Sequence, residues 1–592
     1  MTVEERLEQQ PSRTSLITAD GTCARLCDLL SQQARRYPGE WACVILDARG
    51  RETDKITYRE LDRRARAVAA VLQRRAAPGE RALLALPNGV DFPVALFACA
   101  YAGIVAIPVP APGEGLANGA ARLASIVQDA TPTVVLTHPE IAARPGEHGL
   151  GGTYPVAVAQ VSAELAEAFR DPGEGTDALA LLQYTSGSTS EPKGVQISHR
   201  NILANLTDLY TTLPLSLAPG DRLRIASWLP LFHDMGLAQL LLPVVTGGMV
   251  ALTSPTSFLL RPVSWLEAIT RYKAHMATAP NFAYDLCARR STEQERRELD
   301  LSGWRFALNG SEPVRSGTLD LFARTFADAG FDPVAYVPCY GLAEATVYVS
   351  GARGVSGRIT ASLPALQRDS LVRAPDGEEP GLEVVSCGPV AGGLELRIAD
   401  PGTCRELQAG AVGEIWLAGD SVSRGYWRQP DERFNGCLAD SPARPFLRTG
   451  DLGCRIGGQI YVLGRLDDVI VLDGRNHHPQ DIEFTAQQSH PALAAGRVAA
   501  FGYSRDGETA IAVVAETARR VRVARPGAAA GPDQLDGGDV VRAVRSAVSA
   551  EHQIRVAQVI LLRPAGLPRT TSGKVRRKRC RELFLAGGLK TW

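Results

Sequence analysis

Apolar residues recur every three to four positions between arginines over residues 57–75, which predicts an amphipathic helix. Short apolar runs bounded by turn residues at 81–86, 133–137 and 305–309 predict buried strands. From Phe92 to Pro112 no charged residue occurs, a stretch long enough to cross a bilayer. Pro93, Pro108, Pro110 and Pro112 interrupt it, so a buried helix (about 92–102) entering a buried strand (about 104–109) is expected instead of a membrane span. Alternating helices and strands predict α/β layers with largely parallel sheets. After about residue 384 the pattern changes, and the runs at 414–418 and 459–463 read as strands of a small β-rich unit. Beyond Arg465 a strand at 509–515 and a helix near 539–550 are expected, with a loop at 525–532.

The 592 residues are too many for one core. With 45% hydrophobic and 22% charged residues the composition is that of a globular protein, and a formal net charge of zero provides no field to recruit nucleic acid or an anionic membrane. Eleven cysteines without CxxC or metal-ligand spacing predict reduced thiols in a cytoplasmic protein. The charged start, without an apolar core, does not read as a signal peptide.

Candidate chemistry begins at residues 184–194, Tyr-Thr-Ser-Gly-Ser-Thr-Ser-Glu-Pro-Lys-Gly. Small residues let a backbone approach phosphate closely, the hydroxyls of Thr185, Ser186, Ser188 and Thr189 can donate beside Gly187, and Lys193 adds a charge. The order of glycine and lysine is not that of a Walker A loop. Only six lysines occur in the chain, so this one is less readily incidental. His233-Asp234 lies in Ser-Trp-Leu-Pro-Leu-Phe-His-Asp-Met-Gly-Leu (227–237), where a structural histidine is the plainer reading of that pair alone. Asn309-Gly310-Ser311 and Tyr340-Gly341 each follow an expected strand, where open α/β sheets bind ligands. Asp451 suits ribose hydroxyls, Arg465 suits phosphate, and Lys574 closes a second Gly/Ser turn.

In this order the blocks resemble the adenylate-forming superfamily of acyl and aryl ligases and adenylation domains, from Tyr58 to Lys574. Residues 227–237, 258–262, Trp265-Leu266, 280–287, 338–346 and 474–483 are most similar to fatty acyl-AMP ligases. The resemblance implies a large amino-terminal α/β domain (1–466) of two α/β subdomains plus a small β-rich subdomain. A small mobile α+β carboxy-terminal domain (467–592) would follow, turning about a hinge at Asp467. It also implies two substrates, ATP with Mg²⁺ and a fatty acid. Thr185–Gly194 would match the phosphate loop and Glu344 the magnesium-binding glutamate. Tyr340 would lie against adenine, Asp451 would hold ribose, and Arg465 would bind near ribose or phosphate. Lys574 would be the catalytic lysine, and His233 a gate to the acyl pocket.

The family's insertion would fall at about 351–385, with a helix at 361–368 and a turn at 374–381, restraining the mobile domain and disfavouring CoA. Acyl transfer to the phosphopantetheine of an acyl carrier protein in trans is therefore the expectation. A CoA ligase and an inactive adenylate-binding scaffold are the alternatives. Candidate acyl-pocket walls are Trp228, Leu231, Phe232, Met235 and the region 258–282. The basic cluster Lys574, Arg576, Arg577, Lys578, Arg579 and Arg581 suits an acidic carrier, or is simply a solvated helix face.

Overall fold

The computed structural model describes residues 23–113, 119–185, 192–213, 221–354, 357–374, 381–472, 475–493, 497–505, 508–518, 523–524, 535–569 and 574–592. The expected loop at 525–532 lies outside these, as does most of the turn at 374–381.

Two largely parallel sheets form the first part of the chain. One has six strands in the order Tyr154–Ala157, Val134–Thr137, Arg81–Ala85, Val105–Val109, Leu179–Thr185 and Lys193–Ser198. Only its last pair is antiparallel. The other has eight, in the order Ser350–Gly351, Tyr336–Tyr340, Phe306–Asn309, Met276–Ala279, Arg224–Ser227, Met249–Leu252, Trp41–Leu46 and Glu52–Thr57. It is antiparallel only at its two edges. Side chains on both faces of the central parallel strands are covered, which is why those strands read as short continuous apolar runs, whereas the edge strand Glu52–Thr57 is largely exposed.

Helix Asp91–Ala102 is buried from Phe92 to Ala102 and ends at Gly103, whose left-handed φ of 68° lets the chain turn into strand Val105–Val109. Among the described residues no helix is long and apolar enough to cross a membrane. The arginine-rich helix starts where Thr57 caps it by accepting from the Glu60 N–H, and runs Tyr58–Leu72.

A five-stranded antiparallel sheet follows, built from Leu394–Ala399, Gly413–Gly419, Gly436–Leu438, Ser441–Ile456 and Gln459–Arg465. Near the carboxy terminus Val498–Arg505, Glu508–Glu516 and Val556–Leu562 form a third type of layer. The apolar faces of helices Pro479–Gln488 and Gly537–His552 cover it, through Ile482, Val540, Val544 and Val548. The architecture is thus mixed α/β.

The expected helix at 361–368 is corrected. Arg358–Ser362 is a strand paired antiparallel with Gly381–Val385, and only Leu363–Leu366 is helical. Ile359 and Thr360 favour the pleated strand, and Asp369 at φ 57° cannot continue a right-handed helix. This hairpin reaches the last third of the chain: the Asn476 N–H donates to Gln367 O at 3.1 Å.

Candidate active site

The two α/β sheets aim the carboxyl ends of their strands at one cleft of about 2450 Å³, whose lining also includes residues from the carboxy-terminal segment. Thr185 ends strand Leu179–Thr185 and lies in register with Lys193, the first residue of the returning strand. Both line the cleft. Ser186, Gly187, Ser188 and Thr189 between them lie outside the described residues.

Tyr340 ends strand Tyr336–Tyr340, and its hydroxyl donates to Asp451 Oδ2 at 2.6 Å. Arg465 meets the other oxygen of the same carboxylate at 3.2 Å, because Asp451 and Arg465 are register partners on adjacent strands. Burial raises the pKa of Asp451, opposed by the Arg465 charge and the Tyr340 hydrogen bond. Gly450 between Thr449 and Asp451 has φ 71°, and a Cβ there would sit 3.3 Å from the Arg465 guanidinium. Gly341 is fixed more severely, since a Cβ would meet Val347 O at 1.6 Å.

Glu344 lies in the short turn after Tyr340, and Tyr426 donates to its Oε1 at 2.5 Å. Asn309 and Gly310 sit behind the cleft wall. Asn309 is fully buried, with its amide on Asn281 at 3.3 Å, and Gly310 allows the close approach of Cys339. Ser311, at φ 70°, lines the cleft.

His233 precedes helix Asp234–Val245. Burial, reinforced by the positive charges of Arg122 and Lys574, pushes its imidazole down to about 3, so it is neutral at pH 7. The charge of Lys574 also acts on Asp234 and Asp451, which places the lysine at the meeting point of these groups in the same cleft. Asp467 lies in the turn Leu466–Asp468 directly after Arg465.

Leu209, Leu242, Met276, Leu308 and Val347 add apolar surface to the cleft. Of the expected wall, Trp228, Met235 and Phe282 line it, whereas Phe258 lies behind Trp228, stacked at 3.8 Å. Leu231 is buried in the core and is not part of the lining. Met276 falls in the expected region 258–282, whereas Leu209, Leu242, Leu308 and Val347 were missed because their apolar character is indistinguishable from that of ordinary core.

The larger omission is Tyr426, Asp431 and Arg433. The backbone of Gly425 and Trp427 hydrogen-bonds to Gln196 and Gly194, which carries Tyr426 onto the strand of Lys193. Lys193 pairs with Asp431 at 3.2 Å and lies 4.7 Å from the centre of the Tyr426 ring. Arg433 holds Asp431 at 3.0 Å and donates to the Tyr426 hydroxyl at 2.7 Å. Burial alone would raise Asp431, but hydrogen bonds from Arg433 and Lys193 bring it down to about 2. The run of aromatic and charged residues at 425–433 was the available signal.

The basic cluster is also corrected in part. Arg577 is only 19% exposed and is paired with Asp468 at 2.8 Å and Glu483 at 2.6 Å, so it is not a surface charge. Arg579 is half-exposed and pairs with Glu582.

Among the described residues no group of three or more His, Cys, Asp or Glu could cage a metal ion. A single carboxylate such as Glu344, with the remaining positions filled by phosphate and water, fits the habit of Mg²⁺.

A cleft that combines Lys193, Arg465 and Lys574 with apolar side chains suits an anionic head on an aliphatic chain, and the comparisons agree with that chemistry. Residues 30–427 match the family described as AMP-binding enzyme. The medium-chain-fatty-acid–[acyl-carrier-protein] ligase JamA of Moorena producens is 38% identical, over 96% of this chain and 96% of its own. FadD25 of Mycobacterium tuberculosis, provisionally named a fatty-acid–CoA ligase, is 36% identical over 94% of this chain and 97% of its own. A fatty acyl-adenylate ligase from L. pneumophila, solved with acyl adenylate and pyrophosphate, is 35% identical with a TM-score of 0.72, covering 95% of this chain and 96% of that one. The chain belongs to the AMP-binding enzyme family, in its fatty acyl-AMP ligase branch.

Proposed function

We propose that this protein activates a fatty acid with ATP and passes the acyl group to the phosphopantetheine thiol of an acyl carrier protein. In the first step a carboxylate oxygen attacks the α-phosphorus, the bond to the bridging oxygen breaks, and pyrophosphate leaves with that electron pair. In the second, the thiol sulfur attacks the acyl carbonyl and AMP leaves. Both reactants of the first step are anions, so the task is alignment and charge neutralisation. The observation that carries the reading is the convergence of Lys193, Glu344, Asp451, Arg465 and Lys574 on one cleft whose lining also includes apolar residues such as Leu209, Leu242 and Leu308.

In this reading Lys574 bridges carboxylate and α-phosphate, and Thr185, Ser186, Gly187, Ser188, Thr189 and Lys193 hold the β- and γ-phosphates. Ser311, Tyr340 and Gly341 form the wall beside adenine, backed by Asn309 and Gly310, with Asp451 and Arg465 at the ribose. Glu344 would hold Mg²⁺, which when bound neutralises phosphate charge. His233, neutral, gates the acyl pocket. The domain boundary falls at 466/467, with Asp467 as the hinge.

The name of JamA and the contact between the insertion and Asn476 support a carrier protein as acceptor. The name of FadD25 favours the second reading, a CoA ligase. Incubation with ATP, Mg²⁺ and fatty acids, followed by CoA or a pantetheinylated carrier protein in parallel, separates the two by mass spectrometry. Acyl-AMP that passes to the carrier and not to CoA supports the first. Prompt acyl-CoA formation overturns it.

A further inference from the structure

Arg433 occupies an unusual position for a residue that sequence reading did not single out. Its Nε and Nη2 face Asp431 at 3.1 and 3.0 Å, and Nη2 also donates to the Tyr426 hydroxyl at 2.7 Å. Nη1 makes no hydrogen bond among the described residues. Two cations, Lys193 and Arg433, thus share the Asp431 carboxylate, and both lie against the Tyr426 ring, at 4.7 and 5.3 Å from its centre. Through the Tyr426 hydroxyl the same cluster reaches Glu344. All five side chains line the cleft.

A carboxylate that holds two cations on the lining of the cleft is a resting partner for both. Pyrophosphate offers more negative charge and more oxygens than Asp431, and a guanidinium matches paired phosphate oxygens with its planar fork. We propose that Arg433 is a second pyrophosphate-binding cation of this enzyme, exchanging part of its contact with Asp431 for the leaving group as the bond from the α-phosphorus to the bridging oxygen breaks. Asp431 is then a positioning residue that keeps Lys193 and Arg433 side by side between turnovers. This rests on the adenylate-forming reading above.

Two measurements on the full chain test it. Binding of inorganic pyrophosphate with Mg²⁺ is followed by calorimetry for wild type, R433K and R433Q. The glutamine can still donate to Tyr426 and Asp431 but carries no charge. ATP–pyrophosphate exchange with a fatty acid gives KM values for each substrate. The expected result is pyrophosphate affinity weakened about tenfold or more in R433Q and partly restored in R433K, with KM for pyrophosphate and ATP raised and KM for the fatty acid unchanged. Unchanged pyrophosphate affinity in R433Q overturns the proposal. A loss shared equally by all three substrates, with a lowered Tm, overturns it in favour of a structural role. Wild type that binds pyrophosphate but exchanges none with any fatty acid overturns the underlying reading instead.

Discussion

Asn476 Nδ2 lies 2.9 and 2.8 Å from the two carboxylate oxygens of Asp369, joining the insertion to the segment that follows Asp467. With the Asn476 N–H on Gln367 O, it ties the insertion to the part of the chain that moves in the proposed two-step mechanism. An exposed hydrogen bond of this kind contributes about 1 kcal/mol, enough to shift a balanced conformational equilibrium several-fold. Asp369→Ala is expected to raise acyl-CoA yield above that of wild type, read by mass spectrometry with CoA as the sole acceptor. An unchanged yield would show that this contact does not govern acceptor choice.

Lys574 acts electrostatically on His233, Asp234 and Asp451 at once. Lys574→Ala should lower the rate of acyl-AMP formation by about a hundredfold or more while ATP affinity falls much less, because its charge matters most as the two anions are brought together. Single-turnover adenylation and equilibrium ATP binding measure the two effects separately.

Tyr426→Phe removes the only described donor to Glu344 Oε1 and an acceptor of Arg433. A hydrogen bond to a charged group contributes about 1.5–3 kcal/mol. Adenylation is expected to drop about tenfold, with the Mg²⁺ concentration for half-maximal rate rising. A magnesium titration of both proteins checks this.

Arg577 bridges Asp468 and Glu483 where all three side chains are largely covered. Arg577→Ala strands two carboxylates and should cost about 3 kcal/mol, seen as a lower Tm. Arg579, half-exposed, should leave Tm unchanged when replaced by alanine. Tests of carrier docking therefore belong at Lys578, Arg579 and Arg581. Charge reversal at Arg577 would unfold its surroundings and confuse the result.

Burial pushes His199 and His233 down from 6.5 to about 4 and about 3. Below pH 6.5 the unfolded chain binds protons at these sites before the folded one does. Their contribution is thus full above about pH 6.5 and is lost as pH falls toward 4, with a slope of about 1.4 kcal/mol per pH unit for each proton. Denaturant unfolding between pH 4.5 and 7.5 should show stability rising with pH. The activity profile should carry no inflection near 6.5 from His233.

The sequence by itself determined the elements whose local signals agree. An amphipathic pattern over 57–75 predicted the helix found at Tyr58–Leu72, short apolar runs predicted parallel strands, and ordered motif blocks brought Lys193, Glu344, Asp451, Arg465 and Lys574 into one expectation. These depend on short-range periodicity and on residue types that few other roles require. The helix expected at 361–368 is shortened to Leu363–Leu366 because residues 361 and 362 belong to strand Arg358–Ser362, which pairs with Gly381–Val385 some twenty residues away. Tertiary structure alone decided that Arg577 is a buried tie and that Tyr426, Asp431 and Arg433 meet Lys193. The Lys193–Asp431 pair joins residues 238 positions apart and the Arg577–Glu483 pair residues 94 apart. No periodicity along the chain records such a distance. It emerges only when strand order and crossover connections bring the ends of separate elements to one cleft.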